Sequence, residues 1–152
     1  MPTAIAISGS PRRNGNTETL LNRALDRLKI QGIPGELISL SGKTIRGCTA
    51  CGGCRESKDS TCPGQSGDDF GPILQAMLQA DIIIVGSPVY FGSATPELMA
   101  LLDRAGYVAG ANGKLFSRKI GGPIAVTPRA WFPVRCPGRP QVGRSVSRSW
   151  PP

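Results

Sequence analysis

Three groups of residues in this chain have the types and spacing to do chemistry. The first is the run Ser8-Gly-Ser-Pro-Arg-Arg-Asn-Gly-Asn-Thr17. Ser8, Ser10 and Thr17 offer hydroxyls, Arg12 and Arg13 offer charge, and Gly9 and Gly15 permit a close or left-handed backbone. Placed before a helix, such a run makes a phosphate cradle, because the helix presents free N–H groups and the positive end of its dipole there. It is neither a Walker loop, lacking the closing Gly-Lys-Ser/Thr, nor a G-x-G-x-x-G dinucleotide turn. An ordinary polar strand-to-helix turn is the alternative.

The second group is Ser87-Pro-Val-Tyr-Phe-Gly-Ser-Ala-Thr95. Tyr90 and Phe91 stand among small or rigid neighbours, so their rings can meet a planar ligand edge-on or stacked. Gly92 lets backbone N–H groups approach ring heteroatoms. A hydrophobic loop closing the top of a core is the competing explanation.

The third is Cys48-x2-Cys51-x2-Cys54-x7-Cys62, four thiols within 15 residues. Thiolate sets of this size hold a [4Fe–4S] cluster or a tetrahedral zinc ion. Zinc sites usually place two C-x-x-C pairs well apart, whereas C-x-x-C-x-x-C with Pro63 after the fourth Cys resembles cluster ligation. A set of reduced thiols, some redox-active and the rest packing, is the remaining option. Cys136 has no partner by spacing. His is absent, which excludes chemistry that needs imidazole.

These groups need strands and helices to position them. Ala4–Ser8 has the character of a buried strand, and Thr17–Gln31 carries Leu20, Leu21, Ala24 and Leu28 at helical spacing before Gly32. Glu36–Leu40 is a second strand, and residues 41–67 show no clear period. Asp68 or Asp69 can cap a helix bearing Ile73, Leu74, Met77 and Leu78. The β-branched run from Asp81 to Gly86 predicts a strand buried on both faces. Pro96 then opens a helix to about Ala105, and Lys119–Val126 is a fourth strand. This alternation is an α/β, doubly wound pattern.

Composition sets the outer limits. The chain has 152 residues and a formal charge of +8, which suggests a nucleic acid or an anionic surface as partner. The charge is unevenly spread: residues 1–126 hold 13 Lys or Arg and all 10 acids, a net +3, whereas residues 127–152 hold five Arg, no acid and six Pro. Apolar runs such as Ile82–Val85 are far too short to cross a bilayer, so no membrane is expected. Met1-Pro2-Thr3 carries no basic leader region, and the expectation is a cytoplasmic protein with reduced thiols.

Together the three motifs resemble those of the flavodoxin-like NAD(P)H-dependent FMN reductase superfamily, and especially its iron-sulfur flavoproteins. The likeness rests on Ser8–Thr17, on Arg46-Gly-Cys-Thr-Ala-Cys-Gly-Gly-Cys54 with Cys62, and on Gly86-Ser-Pro-Val-Tyr-Phe-Gly-Ser93, with a weaker match at Lys119–Val126. It covers about residues 3–126. The resemblance implies a flavodoxin-like parallel sheet in strand order 2-1-3-4, three α/β/α layers deep, with FMN at the carboxyl ends of the strands. Ser8, Ser10, Arg12, Asn16 and Thr17 would hold the FMN phosphate, and Pro88, Val89, Tyr90, Phe91 and Gly92 would line the isoalloxazine ring. Cys48, Cys51, Cys54 and Cys62 would ligate a [4Fe–4S] cluster. The implied activity is an FMN-dependent oxidoreductase taking electrons from NAD(P)H or a ferredoxin-like donor, in a homodimer or homotetramer. The flavin carries the chemistry, so no catalytic side chain is expected.

The resemblance ends where relatives continue with a Gly-rich loop, a further helix, a fifth strand and a last helix. The segment 127–152 has the Arg/Pro/Ser composition of a shifted reading frame in GC-rich DNA. The expected organisation is therefore a domain over 1–126, with its Cys-rich loop at 46–64, followed by a frameshifted or truncated tail and no fifth strand. Three other readings compete. One is an FMN or quinone reductase without a cluster, and another is a non-functional product of a broken gene. The third is a nucleic-acid or protein-interaction role for the basic tail, in which Trp131, Phe132 and Trp150 lie near Arg. That role is disfavoured because the tail has no basic face on a regular element.

Overall fold

The computed structural model describes residues 1–127. The expectations for the Arg/Pro-rich segment, Cys136 included, lie outside the described residues. Four strands, β1 (Ala4–Ser8), β2 (Gly35–Ser39), β3 (Ile82–Pro88) and β4 (Ile120–Val126), form one sheet in the order β2-β1-β3-β4. All three pairings are parallel, with Ala4 opposite both Gly35 and Ile82, and Ile82 opposite Ile120. This is the predicted 2-1-3-4 flavodoxin-like arrangement.

Side-chain alternation along β1 divides the core in two. Ile5 and Ile7 face one side, where they join Ile83, Phe70, Ile73, Leu74 and Met77 of α3 (Phe70–Gln79) and Leu98, Leu101, Ala105 and Val108 of α4 (Pro96–Ala111). Ala4 and Ala6 face the other side and pack on Leu21 and Leu25 of α1 (Asn16–Ile30). The result is three layers, with α1 on one face and α3 and α4 on the other. Leu101 is wholly buried in the larger cluster, and truncating it to Ala would cost about 2–5 kcal/mol.

The structure modifies several sequence expectations. Ile82 and Ile84 of β3 are only half-buried, although an unbroken apolar run predicts burial on both faces. Among the described residues, their side of the sheet carries α1 alone, whereas two helices cover the opposite side. β4 is an edge strand among the described residues. The helix opened by Pro96 runs to Ala111, well past Ala105. Its extension keeps Val108 and Ala109 in the core.

The 41–67 segment, which has no sequence period, holds a short helix α2 (Gly53–Ser57) and a 3-10 turn (Pro63–Gln65). At the start of α3 the two aspartates divide the work. Asp69 occupies the N-cap position, but its side chain turns to the backbone N–H of Thr44 at 2.8 Å. Asp68 accepts the N–H of Phe70 at 3.2 Å instead. At the other end of α3, Lys119 donates to the carbonyls of Leu78 and Ala80 at 2.8 and 2.6 Å. A cation is favourable at a helix C-terminus, and it anchors the start of β4.

Candidate functional site

β1 and β3 lie side by side, while their connections leave toward opposite edges of the sheet. Loops from adjacent strands therefore meet at a topological switch point, where α/β folds place ligands. Ser8 ends β1 and is fully buried, its Oγ accepting the N–H of Ser10 at 3.4 Å. Ser10 is also buried. Its hydroxyl donates to the carbonyl of Arg12 at 3.1 Å and accepts the N–H of Arg12 at 3.2 Å, which curls the loop into a ring. Arg12 and Asn16 are exposed on its rim, and Thr17 is buried in the first turn of α1. Gly15 is the N-cap of α1 and provides no side-chain cap, so the leading N–H groups of the helix are open to an anion.

Glu18 sits in the same turn, 4% exposed. One carboxylate oxygen accepts the N–H of Asn14 at 2.6 Å, and the other is buried without a partner. This bond holds Asn14 at φ 55°, in the left-handed region. Glu18 has no place among the sequence-derived site residues. The readable signal is its position three residues into the helix, where a carboxylate reaches back to the preceding turn.

The β3 loop is a tight hairpin. Tyr90 and Ser93 exchange backbone hydrogen bonds at 2.9 and 3.0 Å around Phe91 (φ 51°) and Gly92 (φ 81°). Positive φ at both central positions is a type I′ geometry, which Gly adopts freely and Phe does not. Phe91 is 99% exposed at the tip and Tyr90 is 46% exposed. Pro88 ends β3 half-buried, and Val89 donates to the carbonyl of Val126 at 2.9 Å.

Two residues at the ends of the second motif, to which the sequence assigned no site role, join these loops. Ser87 Oγ accepts the N–H of Thr95 at 3.1 Å and donates to the carbonyl of Pro88 at 2.9 Å. Thr95 in turn donates to the carbonyl of Gly9 at 2.7 Å. The phosphate-cradle loop and the aromatic loop are thus one unit.

All four cysteines of the third motif, Cys48, Cys51, Cys54 and Cys62, line a single cavity of about 210 Å³. All four are free thiols, Cys48 and Cys51 exposed and Cys54 and Cys62 half-buried. Among the described residues no three His, Cys, Asp or Glu converge closely enough for one metal ion. A cubane cluster spreads its four thiolates more widely than a single tetrahedral ion does. The loop is nonetheless shaped closely around them. A Cβ on Gly64 would lie 2.2 Å from Cys51 Sγ, and one on Gly53 would lie 2.8 Å from Pro63. Asp59 accepts from Ser57 Oγ and from both the N–H and the hydroxyl of Thr61, and the Thr61 bonds above all hold its carboxyl below the usual range.

Arg104 closes this loop from α4. It is 1% exposed, pairs with Asp68, and donates to the carbonyls of Arg46 at 3.2 Å and Gln65 at 2.9 Å. Its guanidinium lies 3.9 Å from the centre of the Phe70 ring. Burial works against the charge, but the Asp68 hydrogen bond and the Cys62 sulfur outweigh it and raise the Arg104 pKa. Asp68 is likewise pushed up by burial. The Arg46 N–H, Arg104 and the Phe70 N–H together prevail and hold it below its ordinary value. A charge on the apolar face of α4, in line with Leu101 and Val108, is the signal by which sequence could have found Arg104.

A parallel sheet of this order, with coupled loops at the carboxyl ends of β1 and β3, defines the flavodoxin-like class. A family model described as NADPH-dependent FMN reductase matches residues 2–135, and the chain belongs to that family. It is 43% identical over 122 residues to an iron-sulfur flavoprotein of Methanocaldococcus jannaschii, covering 80% of this chain and 60% of that one. It is 35% identical over 120 residues to an iron-sulfur flavoprotein of Methanosarcina thermophila, covering 79% and 60%. The chain thus spans about 60% of the length of these curated relatives. Among solved structures, a flavone reductase superposes with TM-score 0.63 at 24% identity, over 85% of this chain and 44% of that one. An NADH:FMN oxidoreductase in its apo form gives 0.59 at 23%, over 86% and 60%. At these identities the two structures support the fold. No described helix is long and apolar enough to cross a membrane.

Proposed function

We propose that the protein is an FMN-dependent oxidoreductase whose second redox site is a [4Fe–4S] cluster held by Cys48, Cys51, Cys54 and Cys62. The observation that carries this reading is the convergence of those four thiols on one cavity, on a chain of an FMN reductase family. The curated relatives named above are iron-sulfur flavoproteins, which supports the same assignment.

The loop residues suit FMN. Ser8 and Ser10 hold a curled backbone against the uncapped start of α1, with Thr17 in the first turn and Arg12 and Asn16 at the rim. These would bind the phosphate by hydrogen bonds and charge. Pro88, Val89, Tyr90, Phe91 and Gly92 would orient the ring from the neighbouring hairpin. FMN, when bound, supplies hydride and single-electron chemistry, and the protein supplies position and electrostatics. The Thr95–Gly9 hydrogen bond would keep the phosphate and ring sites in register.

α4 ties the two proposed sites together. Its first turn packs on the flavin loops through Thr95 and Leu98, and Arg104, Tyr107 and Val108 of the same helix line the cysteine cavity. From Leu98 to Arg104 or Val108 a helix advances roughly 9–15 Å. The electron donor in this proposal is NAD(P)H or a ferredoxin-like protein. The assembly is a homodimer or homotetramer, and the exposed apolar side chains of Phe91 and Met99 support such association.

Anaerobic purification followed by absorption spectroscopy and assay of FMN, iron and acid-labile sulfide tests both sites at once. Flavin with about four irons per chain is the expected result. Flavin without iron would leave an FMN or quinone reductase whose Cys loop is structural or redox-active. Recovery of neither flavin nor iron would overturn the proposal.

A further inference from the structure

Among the described residues around the cysteines, Arg104 alone has a buried side-chain nitrogen or oxygen without a hydrogen-bond partner. Its two terminal nitrogens are used: Nη1 by Asp68 and the carbonyl of Arg46, Nη2 by the carbonyl of Gln65. Its Nε–H is buried without a partner. A buried donor left unpaired is destabilising, so an N–H in that position calls for an acceptor. Arg104 also lines the cavity that all four cysteines share.

We propose that Arg104 is a positioning and tuning residue for the cysteine site: its terminal nitrogens clamp both ends of the Cys loop, and its Nε–H and positive charge serve the sulfur atoms of the bound cluster. This rests on the cluster reading above. The two halves of the role follow from different atoms. The clamp spans the motif, since Arg46 precedes Cys48 while Gln65 and Asp68 follow Cys62. The charge faces a ligand set that becomes more negative on reduction. Hydrogen bonds and positive charge near cluster sulfur favour the reduced state and raise the potential. Arg55 also lines the cavity but is exposed, so its charge is screened by water. Asp68 partly neutralises Arg104 and therefore opposes its effect.

The test is a redox titration, followed by electron paramagnetic resonance, of the full-length protein purified anaerobically. Wild type is compared with Arg104→Lys, Arg104→Gln and Asp68→Asn, and iron, sulfide and FMN are measured in each. Arg104→Gln is expected to shift the cluster midpoint negative and to lose part of the iron. Arg104→Lys, which keeps charge but lacks Nε–H, should shift it less. Asp68→Asn should shift it the opposite way, because the Arg104 charge is no longer offset. That reversal of sign separates tuning from a purely structural clamp, and it stands even if Arg104→Gln fails to fold. Equal midpoints in wild type, Arg104→Lys and Asp68→Asn, with iron present in all, would overturn this proposal alone. A wild type free of iron, or loaded with zinc, would overturn the cluster reading and this proposal with it.

Discussion

The hydroxyl of Thr95 donates to the carbonyl of Gly9 at 2.7 Å, joining loops 86 residues apart in the chain. Thr95 is 1% exposed, and the approach is so close that a Cβ on Gly9 would fall 2.9 Å from both Thr95 Oγ1 and Leu98 Cβ. Replacing Thr95 with Val keeps the shape and removes the donor, leaving the Gly9 carbonyl unpaired. The expected loss is about 1–3 kcal/mol of stability, read by urea unfolding, together with weaker FMN retention on gel filtration. Gly9→Ala should lose a similar amount by overpacking. Wild-type FMN retention in both variants would show that the contact does not organise the flavin site.

Phe91 gives a case in which stability and binding move apart. Its φ of 51° in the hairpin tip is costly for a residue with a side chain, and its ring is solvent-exposed. Phe91→Gly is expected to raise stability by up to about 1 kcal/mol while lowering FMN affinity, because the proposed ring contact goes. Thermal unfolding of the apoprotein and fluorescence titration with FMN measure the two effects. A fall in stability with unchanged affinity would contradict the placement of Phe91 on the ring.

The Cys loop can be probed without touching a thiol. Gly64 has no room for a side chain against Cys51 Sγ, so Gly64→Ala must displace one or the other. Iron content should fall several-fold while FMN content stays near wild type, since the flavin loops are formed by other elements. Unchanged iron in this variant would mean that Cys51 is not held where a cluster needs it.

Acid sensitivity should centre on Asp68. Its folded-state pKa lies below the ordinary 3.8 because the Arg46 N–H, Arg104 and the Phe70 N–H outweigh its burial. Between the folded and unfolded values the unfolded chain binds more protons, so stability rises with pH there. The contribution is complete above the unfolded value and is lost as pH falls through the folded one. Asp68→Asn should cost about 3–5 kcal/mol near neutral pH by orphaning a buried Arg. It should also lose less stability than wild type on acidification below about pH 4. Chemical denaturation of both proteins across that range decides the matter.

Much of this protein is set by local sequence. The isoleucines and valine of Ala4–Ser8 and Ile82–Val85 favour strands, and the Gly- and Ser-rich run after β1 marks a turn before the helical period of Thr17–Gln31. The cysteine spacing marks a thiol-rich loop from residues within a few positions of one another. What tertiary structure decided involves partners distant in the chain. The Thr95–Gly9 bond, the Arg104–Asp68 pair and the clamp on Arg46 and Gln65 depend on how α4 crosses the sheet. No residue within a turn or two of Thr95 or Arg104 reveals these partners. In the sequence Arg104 is only a charge at helical spacing from Leu101 and Val108, and only the packed fold shows that the loop it holds is the one carrying the cysteines. The half-burial of Ile82 and Ile84 has the same origin. Their composition demands a dry interior, but the depth of cover over a sheet face depends on which helices pack there. Short-range preference makes the elements, and long-range packing chooses which polar groups end up facing one another.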